Sequence, residues 1–573
     1  MERFSRFPTT FPSFQKPAAM SRFFSHIRKL PPGDKLVASI LALAVVISCL
    51  AGIRELQKTF LVEQPAHGGT LIEGMVGAPR FVNPLLALTD ADRDLTMLTY
   101  AGLMGISATG ELTPVLAESY TISEDGKTYT FIIRQHAKFS DNTPVTAEDV
   151  VFTVEKAQDP TLKSPEYANW ANIRAEVVDS RTVRFTLPQA YAPFIEDTTL
   201  GILPSRLWRN VPNDQFPFSP LMERPVAAGP FRVTNVLRDG NGVIKEYDLV
   251  AFKGYATGRP YLDGIHFKFF SSPSDLSSAV RRGAIESAYG VAKDGALRAP
   301  YARVFGVFYN PDKQPIFENK EVREALSVAI NRDNIVNTLL GGYATPLTGP
   351  LPPEGADTFE PSVLPDPATR IEAARLILDE GGWDYEEGVG WTKGETAMPT
   401  ITLRTSSVAE LKLIASSVQA DWELLGIPVA LELYEPGSLT QEVIRPREYD
   451  ALLFGEVVGR DRDLFAFWHS SQRRDPGLNV ALYANETVDA LLTKARMQSD
   501  TEAAHADIVR AAGLIAADYP AAFTHAPDFL YAVPKDLKGI VLPQITSPSD
   551  RFATVASWHR YTEFVWPILV SSK

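Results

Sequence analysis

Few residues of this chain are spaced for catalysis or for metal binding. Its eight histidines are scattered over 573 residues, and no two stand four positions apart, so no helix face presents a pair of imidazoles to a metal. A single cysteine, Cys49, leaves no intrachain disulfide and no cysteine-based zinc site. The signatures GxSxG, HExxH, GxxxxGK[ST] and GxGxxG are all missing. The sequence therefore predicts a protein that is not an enzyme and has neither cofactor nor metal site.

Composition bounds the class of protein further. Hydrophobic residues make up 45% of the chain and charged residues 22%, which is ordinary for globular proteins and excludes a mainly disordered, collagenous or multi-span membrane chain. The net charge of −13 argues against a nucleic-acid binder. A chain this long predicts two or more domains, because single cores rarely grow past roughly 300 residues.

The charge is divided unevenly along the chain. Residues 1–35 hold seven basic and two acidic side chains, a net +5, which leaves −18 for residues 36–573. Between Lys35 and Arg54 lie 18 uncharged residues, and a helix of that length rises about 27 Å, close to the thickness of a bilayer core. By the positive-inside rule we predict a basic cytoplasmic tail (1–35), a transmembrane anchor (36–53) and a stalk (54–65), with the remainder extracytoplasmic at the cell membrane.

The anchor has two possible fates. Val46–Cys49 loosely resembles the lipobox of bacterial lipoproteins, which makes Cys49 a candidate for lipidation after cleavage. The apolar run continues through Ile53, which favours a helix that is retained with Cys49 inside the membrane. Met20 is an alternative start, since the residues after it supply a basic flank of their own. Either fate tethers the following domains to an outer surface.

The remaining elements predict two mixed regions. In the first, alternation predicts strands, and a capping box at Thr146 predicts a helix as far as Ala157. In the second, a strand, a helix and a strand with short links predict a parallel pair. The predicted strands are 128–134, 182–187, 246–251, 401–405, 429–433 and 449–455, and the predicted helices are 146–157, 321–340 with a restart at Asp333, 373–378 and 408–425.

Several stretches, taken together, resemble one known family. The most specific is Asp125–Val151, whose FSDNTPVTAEDV is close to a family signature FhDGxPlTAeDV. The chain resembles the extracytoplasmic solute-binding proteins of the peptide- and nickel-binding class, family 5, which serve ATP-binding cassette importers. The other similar stretches are Gly74–Pro84 with Tyr100–Leu103, Leu112–Ser119, Asn319–Asp333 and Asn479–Arg496.

The resemblance implies an α/β, two-lobed Venus-flytrap fold with an extra N-terminal α+β subdomain, preceded by the transmembrane helix. Lobe I would comprise 66–305 plus 526–573, with the accessory subdomain near 115–225, and lobe II would comprise 306–525. An oligopeptide would bind between the lobes of a monomer, and hinge closure would present it to permease subunits. The alternatives are the same fold binding a nickel chelate, haem or an oligosaccharide, or a peptide-sensing receptor without transport.

The resemblance also implies ligand-binding residues. Asp463 matches the second aspartate of a family segment that pairs with the peptide amine, but Arg460 stands where the first is expected. Asp461 and Glu456 are the alternatives for amine binding, and a solvated charged turn is the structural interpretation of the same run.

Two further segments resemble ligand contacts of the family. Tyr100 and Gly102 match a strand end that pairs with ligand backbone, and Tyr167 and Trp170 match a segment with an aromatic ring at the peptide. Core packing is the alternative explanation for all four residues.

Overall fold

The computed structural model of the protein describes residues 31–353, 366–498 and 501–567, and it divides into two units. The described part of the first unit holds a long helix and a two-stranded antiparallel sheet in which Val62–Ala66 pairs with Tyr561–Val565. The second unit, His67–Arg560, contains all the other elements named below.

The apolar segment is helical, as the sequence predicts. Helix Pro32–Phe60 includes a stretch, Pro32–Gly52, with a mean hydropathy of 2.3 and no buried residues. By length and composition this stretch could cross a membrane, and a signal sequence would meet the same criterion. Cys49 is exposed on this helix. The helix continues through residues 54–60, which we predicted as stalk, because no proline interrupts it before Pro65. The basic residues before position 31 lie outside the described residues.

Helices and strands alternate irregularly along the described chain. The strands are β1 (Val62–Ala66), β2 (Thr70–Val76), β3 (Met104–Ile106), β4 (Leu112–Pro114), β5 (Ala117–Ile122), β6 (Thr128–Ile133), β7 (Arg174–Val177), β8 (Thr182–Thr186), β9 (Phe231–Arg238), β10 (Ile244–Ala251), β11 (Gly264–Phe270), β12 (Ala288–Tyr289), β13 (Leu297–Pro300), β14 (Arg303–Tyr309), β15 (Ala344–Pro346), β16 (Asp384–Glu386), β17 (Gly390–Lys393), β18 (Thr396–Ala397), β19 (Ile401–Ser406), β20 (Val429–Tyr434), β21 (Ala451–Val457), β22 (Ala521–Ala532) and β23 (Tyr561–Val565). The α-helices are α1 (Pro32–Phe60), α2 (Asp90–Thr99), α3 (Ala147–Ala157), α4 (Tyr167–Trp170), α5 (Phe194–Asp197), α6 (Ser205–Trp208), α7 (Pro273–Arg281), α8 (Lys320–Ala329), α9 (Arg370–Glu380), α10 (Ala409–Leu425), α11 (Pro436–Ser438), α12 (Phe465–Trp468), α13 (Glu486–Met497) and α14 (Thr501–Asp518).

Two four-stranded sheets form the first part of the second unit. One has the order β2-β11-β10-β9, with β2 and β11 parallel, and the other is antiparallel in the order β5-β6-β8-β7. The predicted strands at 128–134, 182–187 and 246–251 are confirmed, and so is the helix to Ala157. The predicted capping box at Thr146 is confirmed, and the Asp149 carboxylate accepts bonds from the Thr146 N–H (2.9 Å) and from the Thr146 hydroxyl (2.8 Å).

A larger sheet dominates the second part. Its main path is β12-β22-β14-β21-β19-β20, with β13 and β15 also paired to β22. The predicted parallel pair is confirmed, since Ile401–Ser406 runs parallel to Val429–Tyr434 with α10 between them in the chain. The predicted helix 321–340 is two elements, α8 and a π-helical turn Asn334–Leu339, consistent with the restart at Asp333.

Strands β14 and β22 pass between the regions that we predicted as lobes. The predicted boundaries at 305/306 and 525/526 fall inside these strands, where Phe305 pairs with His525 in the antiparallel register. Their rings stack with centroids 4.8 Å apart, and His525 is fully buried. The division into lobes at these positions stays a prediction.

Candidate ligand-binding cavity

A cavity of about 470 Å³ is lined by residues far apart in sequence. One wall is the C-terminal end of helix α2 with the chain from Tyr100 to Gly102, and the facing chain is Thr199–Gly201. Two further segments contribute polar and charged side chains to the wall. They are Arg460, from the loop after β21, and the stretch Ser547–Asp550 near the C-terminus. Of the predicted site residues, this cavity brings together Tyr100, Gly102 and Arg460.

Helix α2 positions Tyr100. A reciprocal capping box of Thr89 and Asp92 starts the helix, and the Tyr100 N–H ends it by donating to the Thr96 carbonyl (2.8 Å). Tyr100 is 4% exposed, and its hydroxyl has no hydrogen-bond partner in the part of the chain that the structure describes. Burial raises the pKa of the phenol, so the hydroxyl is a neutral donor. An unsatisfied buried hydroxyl in a cavity wall is suited to a polar ligand atom.

Gly102 has a local structural reason to be glycine. A Cβ at this position would lie 2.4 Å from the Thr199 carbonyl oxygen and 2.7 Å from that of Thr198. The residue therefore permits a close approach of two protein backbones, whereas we predicted a close approach of ligand backbone. It still lines the cavity beside Tyr100.

Arg460 is held by an ion pair. Its guanidinium lies 2.8 Å from the Asp550 carboxylate, and both side chains are largely buried. The same carboxylate oxygen accepts hydrogen bonds from the backbone N–H groups of Thr546 (2.8 Å) and Ser547 (2.9 Å). Arg460 therefore connects the loop after β21 to the C-terminal segment, and its charge is compensated by the protein.

Asp463 is likewise already paired. Its carboxylate accepts two bonds from Arg496, at 2.6 Å from Nε and 2.5 Å from Nη2, and it also accepts from the Phe465 N–H (2.9 Å). The carboxylate that best matches the family's amine-binding aspartate thus has an arginine partner in the protein. Its neighbour Asp461 accepts only a backbone bond, from the Asp463 N–H (3.2 Å).

Asp461 belongs to a group of acidic side chains without cations of their own. We define the carboxylate cluster as Glu166, Glu196, Asp197 and Asp461. Glu166 lines the cavity, and the charges of the others act on one another. Within the described residues none of the cluster's carboxylates forms an ion pair, although Arg93 and Arg460 are close enough to act on Glu166 and Glu196.

Burial and mutual repulsion disfavour ionisation throughout the cluster. Burial, followed by repulsion from Asp463, raises the pKa of Asp461 to about 6. Burial and then Asp461 raise the pKa of Glu196 to about 7, and burial with Glu166 and Glu196 raises that of Asp197 to about 8. Burial also raises the pKa of Glu166. A cation placed among these groups would relieve the repulsion and favour their ionised forms.

Glu456, the other predicted substitute for amine binding, is not at the cavity. It is 2% exposed, it shares a strand face with Leu452 and Phe454, and it pairs across the sheet with Val304. Those neighbours belong to or pack against one hydrophobic core. Burial raises the pKa of Glu456 well above its ordinary value, and a side-chain interaction with Trp468 lowers it by less. The residue is a neutral acid facing the core.

The two aromatic candidates, Trp170 and Tyr167, lie in different environments. Trp170 is 2% exposed and packs edge-on against Phe185 and Phe194, with centroids 5.6 Å away in each case. It is therefore a core residue, because its short helix buries this side chain under strand β8. Tyr167 is exposed and does not line the cavity.

Sequence reasoning missed Glu166, Glu196, Asp197 and Asp550. Glu166 precedes the predicted Tyr167 directly, so the segment was found but the wrong side chain was chosen. Glu196 and Asp197 stand in a short helix, FIED, with no motif to mark it. Only the folded chain places them beside Asp461, more than 260 positions away.

With the cavity and its charges described, comparison with known proteins defines the class. The model of the bacterial extracellular solute-binding proteins, family 5 Middle, matches residues 111–475, which is more than half of the chain. The chain therefore belongs to the family 5 extracellular solute-binding proteins, as the sequence motifs predicted.

Individual relatives cover most of the chain. It is 26% identical over 527 residues to the oligopeptide-binding protein AppA of Bacillus subtilis (strain 168), covering 88% of this chain and 95% of AppA. It is 29% identical over 429 residues to the glutathione-binding protein GsiB of Shigella flexneri serotype 5b (strain 8401), covering 70% of this chain and 78% of GsiB.

Solved structures show the fold. Bacillus subtilis AppA in complex with a nonapeptide superposes with a TM-score of 0.66 at 24% identity, covering 87% of this chain and 99% of AppA. The ABC transporter substrate-binding protein CtaP from Listeria monocytogenes gives a TM-score of 0.70 at 24% identity, covering 86% and 99%. The predicted two-lobed α/β fold of periplasmic binding proteins is thereby confirmed.

Proposed function

We propose that this chain is a membrane-tethered, extracytoplasmic solute-binding subunit of an ATP-binding cassette importer that captures oligopeptides between its lobes. It has no catalytic role and delivers its ligand to permease subunits as a monomer. Helix α1 is the tether, with the basic N-terminal tail in the cytoplasm. The support is family membership, the apolar stretch Pro32–Gly52 and the names of AppA and GsiB, whose ligands carry a free amine.

The single observation that carries the peptide assignment is the carboxylate cluster beside the cavity. Its members lack ion-pair partners in the described chain, and their pKa values are raised by burial and mutual repulsion. An ammonium group entering the cavity would supply the missing charge. We assign amine recognition to the cluster, of which Asp461 is the member on the loop after β21. We do not assign it to Asp463, because Asp463 is paired with Arg496.

The remaining groups of an extended peptide also find partners. The unpartnered Tyr100 hydroxyl can donate to a ligand carbonyl. Arg93 lines the same cavity, and its nearest carboxylate, Asp90, is 3.9 Å away, so it can pair with a terminal carboxylate. Polar contacts to the peptide backbone and to its two ends do not involve the ligand side chains, which suits broad peptide specificity.

Hinge closure would act through strands β14 and β22, which pass between the predicted lobes. Phe305 of β14 and His525 of β22 are paired and stacked where the predicted lobes meet. We propose that these strands bend at this pair when a ligand draws the lobes together.

Ligand identity is tested on the full chain purified natively in a neutral detergent. Acid release followed by mass spectrometry is expected to recover short peptides of mixed sequence with free amines. Recovery of a nickel chelate, haem or an oligosaccharide instead, with no thermal stabilisation by peptides, would reject the peptide assignment.

The role of the cluster is tested with a matched pair of substitutions. Asp461→Asn is expected to weaken binding of a free-amine peptide about tenfold by calorimetry, because a charge-assisted bond is lost. The same variant should bind the N-acetylated peptide as the wild type does. Asp384→Asn, at an exposed position away from the cavity, is the control. Equal losses for both peptides would assign Asp461 a structural role.

A further inference from the structure

A second recess lies at the far end of strands β14 and β21. It has a volume of about 540 Å³ and is lined by the chain after β14, the turn after Ile444 and the segment after helix α12. In the register of these strands, Arg303 pairs with Val457 near Arg460, whereas Tyr309 and Ala451 pair beside the recess. Seven strand residues separate the two ends, or roughly 20 Å, so the recess is distinct from the ligand-binding cavity.

Basic side chains dominate its lining. Five cationic residues face two carboxylates there, in a chain whose total charge is −13. We define the basic recess by the cationic residues Lys313, Arg445, Arg447, Arg473 and Arg474.

Lys313 has a close ion pair with Glu448 (2.6 Å), but the charges of the four arginines are poorly compensated. Arg474 and Arg447 form no ion pair with any residue that the structure describes. Arg447 instead donates to the carbonyls of Ile444 (2.6 Å) and Gly477 (2.7 Å), which fix its guanidinium without neutralising it. The remaining arginine pairs are long, at 3.6 Å for Arg445 with Asp475 and 3.7 Å for Arg473 with Asp312.

Those long pairs contribute little to stability. All four side chains are between 39% and 66% exposed, and exposed ion pairs at such distances contribute little. These pairs therefore do not explain why Arg445 and Arg473 stand beside Arg447, whose own structural bonds go to backbone carbonyls. Planar guanidinium groups converging on one concavity match the tetrahedral oxygens of phosphate groups, which they bind in bidentate fashion.

We propose that the basic recess is a binding site for a phosphate-bearing anion, separate from the peptide cavity. Arg447 is its fixed donor. Arg445 and Arg473 turn from their weak partners onto the phosphate oxygens, and Arg474, which has no ion-pair partner among the described residues, joins them. The same chemistry is offered by a free phosphate compound and by an anionic phospholipid headgroup. The experiment has one arm for each source.

The first arm uses inorganic pyrophosphate and the full chain in neutral detergent at physiological ionic strength. Calorimetry is expected to show saturable binding at one site. The double variant Arg445→Gln/Arg474→Gln should weaken it at least about tenfold, because two charge-assisted contacts are lost. Arg282→Gln, an exposed arginine outside the recess, is the control and should bind as the wild type does. An unchanged thermal midpoint of the double variant shows that it is folded.

The second arm uses the full chain in nanodiscs of phosphatidylcholine with or without phosphatidylglycerol. Slower hydrogen exchange of residues 445–447 and 470–475 with phosphatidylglycerol, lost in the double variant, would identify a lipid headgroup as the source. Pyrophosphate binding without this protection would identify a free anion. If neither probe acts on the wild type, or if the double variant and Arg282→Gln respond alike, the proposal is wrong.

Discussion

Two groups of buried carboxylates in this protein have opposite surroundings. Glu73 and Asp94 are fully buried, and both accept bonds from the fully buried Arg551, at 2.9 Å to Glu73 and 3.0 Å to Asp94. In the carboxylate cluster, by contrast, Asp197 and Asp461 are buried to a lesser degree and have no arginine partner among the described residues.

The difference separates a structural use of acidic groups from the ligand-binding use that we propose for the cluster. Burial lowers the pKa of Arg551, but the charges of Asp94 and Glu73 outweigh it and raise that pKa above its ordinary value. Burial still raises the pKa of Asp94 to about 6, so Asp94 is mainly ionised at neutral pH. The network joins strand β2, helix α2 and the 3-10 turn of Arg551. A cluster that the protein leaves uncompensated beside a cavity is instead available to a ligand.

The largest expected effect comes from removing the shared cation of the structural group. Arg551→Met leaves two buried carboxylates unpaired, and breaking a buried pair in this way typically costs about 3–5 kcal/mol. Urea unfolding should show a loss of this size, whereas the exposed Arg282→Met should stay within about 0.5 kcal/mol of the wild type. A small loss for Arg551→Met would show that the two buried carboxylates do not depend on Arg551 for the stability of the fold.

The same substitution in the two groups should change stability in opposite directions. Asp94→Asn removes charge-assisted bonds to Arg551 and is expected to destabilise by about 1–3 kcal/mol. Asp197→Asn replaces a carboxyl whose pKa of about 8 keeps it mainly protonated in the folded chain at neutral pH. The variant takes up no proton on folding, so it is expected to stabilise the ligand-free protein slightly while weakening binding of free-amine peptides. Paired urea titrations and calorimetry measure both effects. Two changes of the same sign would remove the distinction between the groups.

The sequence predicted more of the fold than of the difference between the two carboxylate groups. Alternation and capping located β6, α3 and the parallel pair β19 and β20, because such signals are local. The motifs led to Tyr100 and Gly102, which line the cavity.

The sequence could not show how the charges would be paired. Asp463 fits the family pattern, yet Arg496, 33 residues away, takes up its charge. Compensation of a charge depends on contacts between distant segments, which a linear pattern does not record.

The raised pKa values of the cluster make binding and stability depend on pH in a defined direction. The folded-state pKa values of about 6 for Asp461, 7 for Glu196 and 8 for Asp197 exceed ordinary carboxyl values. Between about pH 4 and pH 8 the folded chain binds more protons at these groups than the unfolded chain, so their contribution to stability falls as pH rises.

Peptide binding should show the reverse dependence. Affinity for a free-amine peptide is expected to rise from pH 5 to pH 7, a range in which the peptide amine stays protonated, with proton release on binding, because the ammonium selects the ionised cluster. Calorimetry in two buffers of different ionisation enthalpy measures the released protons. Proton uptake, or an affinity independent of pH over this range, would contradict pairing of the cluster with the amine.

The smallest effect on peptide binding is expected at Glu456, which is buried like the structural group and, like the cluster, has no cation partner among the described residues. Its raised pKa and its position on the core face of β21 favour the neutral acid. Glu456→Gln preserves the shape and neutrality of the folded side chain and takes up no proton on folding, so the free energy of unfolding at neutral pH should not fall. Peptide affinity should stay the same, in contrast to Asp461→Asn. A loss of amine binding in Glu456→Gln would place the ligand site on the β21 core face and would overturn the assignment of amine recognition to the carboxylate cluster.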